Sequence, residues 1–463
     1  MLFFDFALLY IIHVSYEELF SVRVFSRHGE RNPIYPLECN KNIPSDGELL
    51  RAGKERLANL GVALRSEYVE NKKFLPKSFA DNSFYFTSTS SRRTKDSILS
   101  FCYGFFPPRT GPQINGQYIF PDGIQPVPIH CQSEKEDFLL EALEICPKVT
   151  NIISKSAAIK NIQKLLADHK PLMDDLRRLT NTTANGPELI AVLDTIKVLR
   201  EMNDPRYPVP DGITDSMIDE SVFLFKKLIS EIMVVEEDGF CPAVSGDAIE
   251  EMFFKQHERD KWEVKKVEAD SVNGTNQEKK SAIYPKYRHY SAHDITLLSI
   301  GRCLGLPPSE KAENGSEIIL HPNYGSLLIV EFHVENGTEN DIENPKVKFL
   351  YDFDVNKNGK FDLHEFIPSF CSQKNGCDLK TMQSHFSAIH EMKERDIWVT
   401  EGCGLLTRQP MKTVSLLTYQ MLAAIFIAAF VVTFVCLIVF TVISCVRMHS
   451  DRQKRRKERL TGN

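Results

Sequence analysis

Apolar and polar positions along this chain predict strands in its outer parts and helices between them. The run Ser21-Val22-Arg23-Val24-Phe25 reads as a strand, and Gly53 to Leu64 then carries leucines and alanines at helical spacing. Ser83-Phe84-Tyr85-Phe86-Thr87 returns to a strand pattern. Further on, Leu327 to Val334 and the alternating Val347-Lys348-Phe349-Leu350-Tyr351 predict a strand pair, antiparallel across the turn at Asn336-Gly337. Between about 133 and 266 the period changes. Phe138 to Ile153, Ala158 to Leu166, Pro187 to Met202 and Asp215 to Val235 each place apolar residues three and four apart, with Asp, Asn and Pro at their ends. Pro187 suits a first helical turn, where its missing N–H costs nothing. The pattern predicts an α/β layer with a helical insertion capping one side.

Two apolar stretches stand outside that layer. Leu2 to Val14 reads as the apolar core of a secretory signal covering residues 1–15. No charge occurs between Lys412 and Arg447, and Met421 to Val446 is almost wholly apolar. About 20 helical residues cross the roughly 30 Å of bilayer hydrocarbon, so 419–446 is expected to span a membrane. Seven cations (Arg447, Arg452, Lys454, Arg455, Arg456, Lys457 and Arg459) lie in the tail 447–463, and such a basic flank marks the cytoplasmic side. The expectation is a single-pass type I membrane protein with one ectodomain, 16–408, lumenal or extracellular at the cell surface or in the endolysosomal system. Sequons at Asn181, Asn273, Asn314 and Asn336 fit glycosylation there. The net charge of -6 argues against a general nucleic-acid binder. Nine of the eleven cysteines precede the span, so an oxidising compartment predicts disulfides and at least one unpaired thiol.

Chemistry concentrates after the predicted strands. Arg27-His28-Gly29-Glu30-Arg31-Asn32-Pro33 follows the first strand at once, placing two guanidinium groups and an imidazole where open α/β sheets bind ligands. Arginine suits phosphate because its planar fork donates paired hydrogen bonds and stays charged. Ser88-Thr89-Ser90-Ser91-Arg92-Arg93-Thr94 follows the second strand, although taken alone its arginines read as surface charges at a helix start. Tyr290-Ser291-Ala292-His293-Asp294 is a third candidate, and a lone His-Asp pair is usually structural. Together the three clusters compose one reaction. His28 attacks phosphorus, the arginines and His293 neutralise the equatorial oxygens, and Asp294 protonates the leaving alkoxide. Neither metal nor cofactor is called for, since guanidinium groups supply the positive charge. The arginines also depress the pKa of both His28 and Asp294, which keeps the nucleophile free but opposes the acid. A bound phosphate dianion offsets their field, so activity is expected to be best at acidic pH.

The first cluster resembles the Arg-His-Gly-x-Arg-x-Pro signature of the histidine acid phosphatases, and Ser291-Ala292-His293-Asp294 resembles their second signature. Ser88 to Thr94 is similar to their Ser-Thr-x-x-x-Arg-Thr segment, which assigns the third clamp to Arg93 rather than Arg92. Phe106-Pro107-Pro108, Gln125 to His130 and Cys146-Pro147 extend the resemblance, which is nearest to the animal prostatic and lysosomal enzymes. It implies an α/β fold, with a mixed sheet flanked by helices in a phosphoglycerate-mutase-like core, a helical insertion and here one C-terminal transmembrane helix. It also implies hydrolysis of small-molecule or protein phosphomonoesters through a phosphohistidine on His28, with Arg27, Arg31, Arg93 and His293 holding the phosphate. A homodimer is compatible with it. The implied disulfides are Cys146 with Cys403 and Cys371 with Cys377, which leaves Cys39, Cys102, Cys131, Cys241 and Cys303 unassigned. A different class of reading is a catalytically weak ectodomain that binds phosphorylated ligands or a partner. Separately, Asp354 to Glu365 matches the spacing of a calcium-binding EF-hand loop, but the strand pattern before it lacks the required helix.

Overall fold

Strand β1 (Glu17–Arg27) is buried on both faces from Phe20 onward and forms the centre of the sheet. Its even-numbered Val22 and Val24 pack into one apolar layer while Phe25 packs into the other, as the two-residue period of a strand requires. The computed structural model describes residues 17–183, 187–233, 241–273, 284–306, 309–311, 317–335, 342–355, 362–374 and 376–394. The other strands along the sheet are β2 (Phe84–Ser88), β3 (Ile129–Cys131), β4 (Tyr287–Ala292), β5 (Leu327–Glu335), β6 (Lys346–Asp352) and β7 (His364–Phe366), and the short strand Cys377–Asp378 pairs with β6 off this path. Their order across the sheet is β7-β6-β5-β1-β4-β2-β3. β1, β4, β2 and β3 run parallel, whereas β5, β6 and β7 continue antiparallel, so the sheet is mixed.

Helices α1 (Arg51–Arg65) and α2 (Arg92–Phe105) cover one face, where Leu57, Leu60 and Phe101 meet Val22, Phe86 and Ile329. They approach closely because Gly61 and Gly104 carry no side chain at the crossing. A Cβ on Gly104 would lie 1.9 Å from the Ala58 carbonyl oxygen. The opposite face is covered by Pro242 to Lys255 and by the helix Asp294–Cys303, through Phe253, Phe254, Leu297 and Ile300. There the buried Arg23 and Arg288 share the carboxylate of Asp260, which offsets the cost of burying two cations.

The helical insertion has its own core, in which Leu172, Leu176, Leu193, Ile196, Leu224 and Leu228 enclose Leu37 and Ile43 from the loop after β1. The predicted helices at Ala158, Pro187 and Asp215 form as Ala157–Asp168, Pro187–Met202 and Asp215–Met233. One expectation changes. Phe138 to Ile153 is not a continuous helix, because Pro147 lacks an N–H and Cys146 before it is extended at ψ 112. The chain there makes a single turn, Ala142–Ile145, and restarts as Pro147–Lys155. A further helix, Lys170–Thr180, was not apparent from the apolar pattern, and it ends on exposed Asn181 in the left-handed conformation (φ 52°). The segment from Pro242 to Phe254, placed by pattern in the insertion, packs on the sheet core instead.

Cys371 is bonded to Cys377, and Cys241 to Cys303, the latter pair not foreseen. Cys146 is disulfide-bonded, while its expected partner Cys403 lies outside the described residues. Cys39, Cys102 and Cys131 are free thiols. Residues 356–361 of the EF-hand-like segment are also outside the described residues, but its flanks are the paired strands β6 and β7, not helices. Asp352 ties those flanks by accepting from the amides of Asp354 and Asp362 at 2.9 and 2.7 Å. The expected signal 1–15, the span 419–446, the tail 447–463 and the sequons at Asn314 and Asn336 lie outside the described residues, and of Asn273 only the backbone is described. Among the described residues no helix is long and apolar enough to cross a membrane.

Gly104→Ala tests the helix contact. Alanine gains up to about 1 kcal/mol of helix propensity, but the overlap with backbone at Ala58 costs more. A net loss of about 1–3 kcal/mol is expected in denaturant unfolding, and an unchanged midpoint would contradict the close approach.

Candidate active site

The carboxyl ends of β1, β2 and β4 deliver His28, Thr89 and His293 to one place. The His28 amide donates to Ala292 at 3.0 Å, the Thr89 amide to Ser291 at 3.1 Å, and the Gly325 amide to the His28 carbonyl at 3.2 Å. These bonds pin the loop tips together. Gly29 is required because a Cβ there would meet the Gly53 carbonyl oxygen at 2.5 Å, so backbone lies on backbone at the start of α1. Its amide is satisfied by Ser97 Oγ at 3.1 Å. Glu30, the variable residue of the motif, accepts from Arg56 Nε and Nη2 at 2.9 and 2.6 Å and thereby fixes the loop to α1.

His28 is 2% exposed, and its Nδ1 lies 2.8 Å from the Gly29 carbonyl oxygen. A carbonyl can only accept, so Nδ1 carries the hydrogen and Nε2 keeps its lone pair. Burial, and then the charges of Arg27, Arg93, His293 and Arg31, hold the ring well below its ordinary 6.5. The site therefore presents a neutral imidazole inside a cationic ring.

Each clamp arginine is oriented by the protein through its outer nitrogens. Arg27 donates through Nη1 to the Pro322 carbonyl at 2.6 Å, pairs through Nη2 with Asp294 at 2.8 Å, and lies 4.4 Å from the Tyr324 ring centroid. Arg31 pairs with Asp194 at 2.9 Å and donates to the Asn32 carbonyl at 3.0 Å. Arg93 Nη2 lies 3.3 Å from His293 Nδ1, whereas Arg92 is exposed and pairs with Glu48. The Nε–H of Arg27, Arg31 and Arg93 are all buried and unsatisfied. Three unsatisfied cationic donors about one buried imidazole are suited to a tetrahedral anion.

His293 Nε2 is 3.1 Å from Thr89 Oγ1 and 3.2 Å from Glu141 Oε1. Burial and then Arg93 push its pKa down to about 3. It is thus a neutral partner of Arg93 and brings no charge of its own, which alters the neutralising part expected of it. Asp294 begins the helix Asp294–Cys303. Burial alone would raise its carboxyl, but Arg27 and then His321 outweigh burial and hold it well below 3.8. The downward shift of both His28 and Asp294 expected from the neighbouring arginines is present in the charge distribution.

Several neighbours escaped sequence reading. Asp194, Lys197 and Glu201 recur at helical spacing on Pro187–Met202, a stripe that reads as a solvated helix face, yet Asp194 holds Arg31 and Lys197 is buried. Tyr324 lies between Arg27 and Lys197, the latter's Nζ 5.6 Å from the ring centroid, and its hydroxyl is buried and unsatisfied. Glu141 and His321 are single residues in irregular segments and left no signal.

Comparison with known proteins follows the same lines. The family model of the histidine phosphatase superfamily (branch 2) matches residues 37–199, a stretch that includes Arg93 and Asp194. A putative acid phosphatase 10 of Caenorhabditis elegans is 24% identical over 387 residues, covering 78% of this chain and 89% of that protein. The testicular acid phosphatase of Mus musculus is 24% identical over 355 residues, 73% of each chain. A lysosomal acid phosphatase of Xenopus laevis reaches 36% identity over 136 residues, 28% of this chain and 30% of that one. In fold, the chain is similar to a phytase of Citrobacter braakii, with TM-score 0.50, 15% identity, and 80% and 98% of the two chains covered.

The protonation state of His28 is directly measurable. With its pKa held well below 6.5, the ring is expected to be neutral near pH 6.5, where a free imidazole is half protonated. Nitrogen-15 NMR of the imidazoles is expected to show His28 titrating well below the exposed histidines, and a titration centred near 6.5 would contradict the geometry.

Proposed function

We propose that this chain, which belongs to branch 2 of the histidine phosphatase superfamily, hydrolyses phosphate monoesters as an acid phosphatase through a phosphohistidine on His28. It is a phosphomonoester hydrolase. The observation that carries the mechanism is the neutral, buried His28 surrounded by three arginines whose Nε–H groups are unsatisfied. Arg27, Arg31 and Arg93 bind the phosphoryl oxygens while His28 Nε2 attacks in line, and the charge they provide is preorganised by Asp294, Asp194 and His293. Asp294 protonates the departing alkoxide. Its carboxylate then takes a proton from the water that hydrolyses the phosphohistidine, as reversal of the acid step requires. A bound phosphate dianion weakens the cationic field that keeps Asp294 ionised, which favours turnover in acid. We further read the chain as a membrane-anchored enzyme with its site outside the cytosol. That reading is supported by the apolar run 419–446, its basic flank and the compartment of the lysosomal relative.

His28→Ala is expected to reduce phosphatase turnover by at least about a thousandfold with expression retained; near wild-type turnover would remove His28 as the nucleophile. Asp294→Asn is expected to lower kcat for alkyl phosphates by about 10²–10⁴ and to spare aryl phosphates, whose leaving groups need little protonation. Equal losses on both substrate classes would remove Asp294 as the acid.

A further inference from the structure

The clamp that orients Asp294 also disfavours its protonated form, so a neighbouring group that restores the carboxyl proton as it is given up would aid the acid step. His321 is the group placed to supply it. Its Nε2 lies 3.1 Å from Asp294 Oδ2, the same oxygen that Arg27 holds at 2.8 Å. The residue is 4% exposed, and its Nε2 has no well-aligned hydrogen bond to any described group. At that distance two lone pairs would repel, so the contact is favourable only with a hydrogen on Nε2, although that N–H is not aligned for a full hydrogen bond. The ring is also held in place. The next carbonyl, that of Pro322, accepts from Arg27 at 2.6 Å, and the Asn323 amide donates to Phe353 at 2.9 Å. Phe225 of the insertion stacks edge-on at 5.6 Å.

We propose that His321 and Asp294 act as one acid unit, His321 holding the proton that Asp294 delivers to the leaving group. The inference rests on the reading of Asp294 as the general acid. In acid, His321 carries hydrogens on both ring nitrogens. As the P–O bond to the leaving group breaks and the bond to His28 Nε2 forms, the Asp294 proton passes to the alkoxide and the His321 Nε2 proton moves to the carboxylate. In the second half-reaction water adds to phosphorus and the P–N bond breaks. The proton released by that water returns through Asp294 to His321, so each turnover closes with the addition of one water. The charged groups facing His321 are Asp294 from its helix, Arg27 from β1 and Lys197 from the insertion. Burial lowers the ring's proton affinity, Asp294 raises it, and Arg27 and Lys197 lower it again, with the net effect downward from 6.5. The doubly protonated ring is therefore favoured only in acid. His321 acts through Asp294 and not on the substrate, which makes it a positioning residue for the proton.

The test uses the full-length chain with an alkyl phosphate and with 4-nitrophenyl phosphate. His321→Gln keeps a hydrogen-bond donor beside Asp294 but cannot relay a proton. It is expected to lower kcat on the alkyl substrate about 10- to 100-fold and to change that on the aryl substrate less than about threefold. An unchanged or increased alkyl turnover would overturn the relay, because a histidine that merely depressed the Asp294 pKa would have the opposite effect when removed. The unaltered enzyme gives an answer independent of any variant. Its alkyl-phosphate turnover in mixed light and heavy water should show the curved proton inventory of two protons in flight, and a straight line would overturn the proposal. Asp294→Asn separates the two readings: a loss confined to alkyl substrates there, without one in His321→Gln, removes the relay alone, whereas equal losses in Asp294→Asn remove the acid itself.

Discussion

The Arg27 guanidinium ties the catalytic end of the sheet together. Through its outer nitrogens it joins the Pro322 carbonyl before β5 and the Asp294 carboxylate at a helix start, while its plane rests on Tyr324. Three chain segments far apart in sequence are thus fixed by one side chain, and its Nε–H remains free for a ligand. A lysine could not do this, since an ammonium has no planar fork to divide between protein and substrate. Burying such a cation is costly unless it is paired, so the pairing with Asp294 serves stability and chemistry together.

That dual use creates the site's central tension. The arginines favour a neutral His28 and a charged Asp294, which in the proposed mechanism suits the nucleophile and opposes the acid. On the proposed mechanism, a bound phosphate dianion would relieve the conflict by cancelling part of the cationic field. The proton affinity of Asp294 would thereby depend on whether the arginines hold an anion. His321 and Lys197 extend the same electrostatic system beyond the arginines, the latter from the insertion helix that also supplies Asp194. Of the insertion's polar stripe, Asp194 and Lys197 thus turn toward the arginines while Glu201 stays exposed to solvent.

The strands and most helices were legible because their periods are strong and local. Where the reading failed, a single residue outweighed the period. Pro147 broke a helix that the apolar spacing carried straight through, and the unforeseen helix Lys170–Thr180 has proline at its second position and a left-handed asparagine at its end. Pro242 to Phe254 has a helical apolar pattern whether it packs on the insertion or on the sheet, so only packing could assign it.

The order of the three clusters along the chain, each placed after a strand, led to the expectation of a phosphate clamp with a histidine nucleophile and a distant acid, and the fold brings those clusters together. Contiguous motifs survive in sequence because their residues must sit on one loop. Which arginine turns inward, Arg93 and not Arg92, was suggested by resemblance and follows in the structure from the geometry of a helix start. The tertiary structure alone decided what surrounds the reacting groups: Asp194 behind Arg31, Glu141 and Thr89 behind His293, and His321 beside Asp294. Those contacts join residues 27 to 204 positions apart, and a pairing made by folding leaves no local period or spacing by which a linear reading could find it.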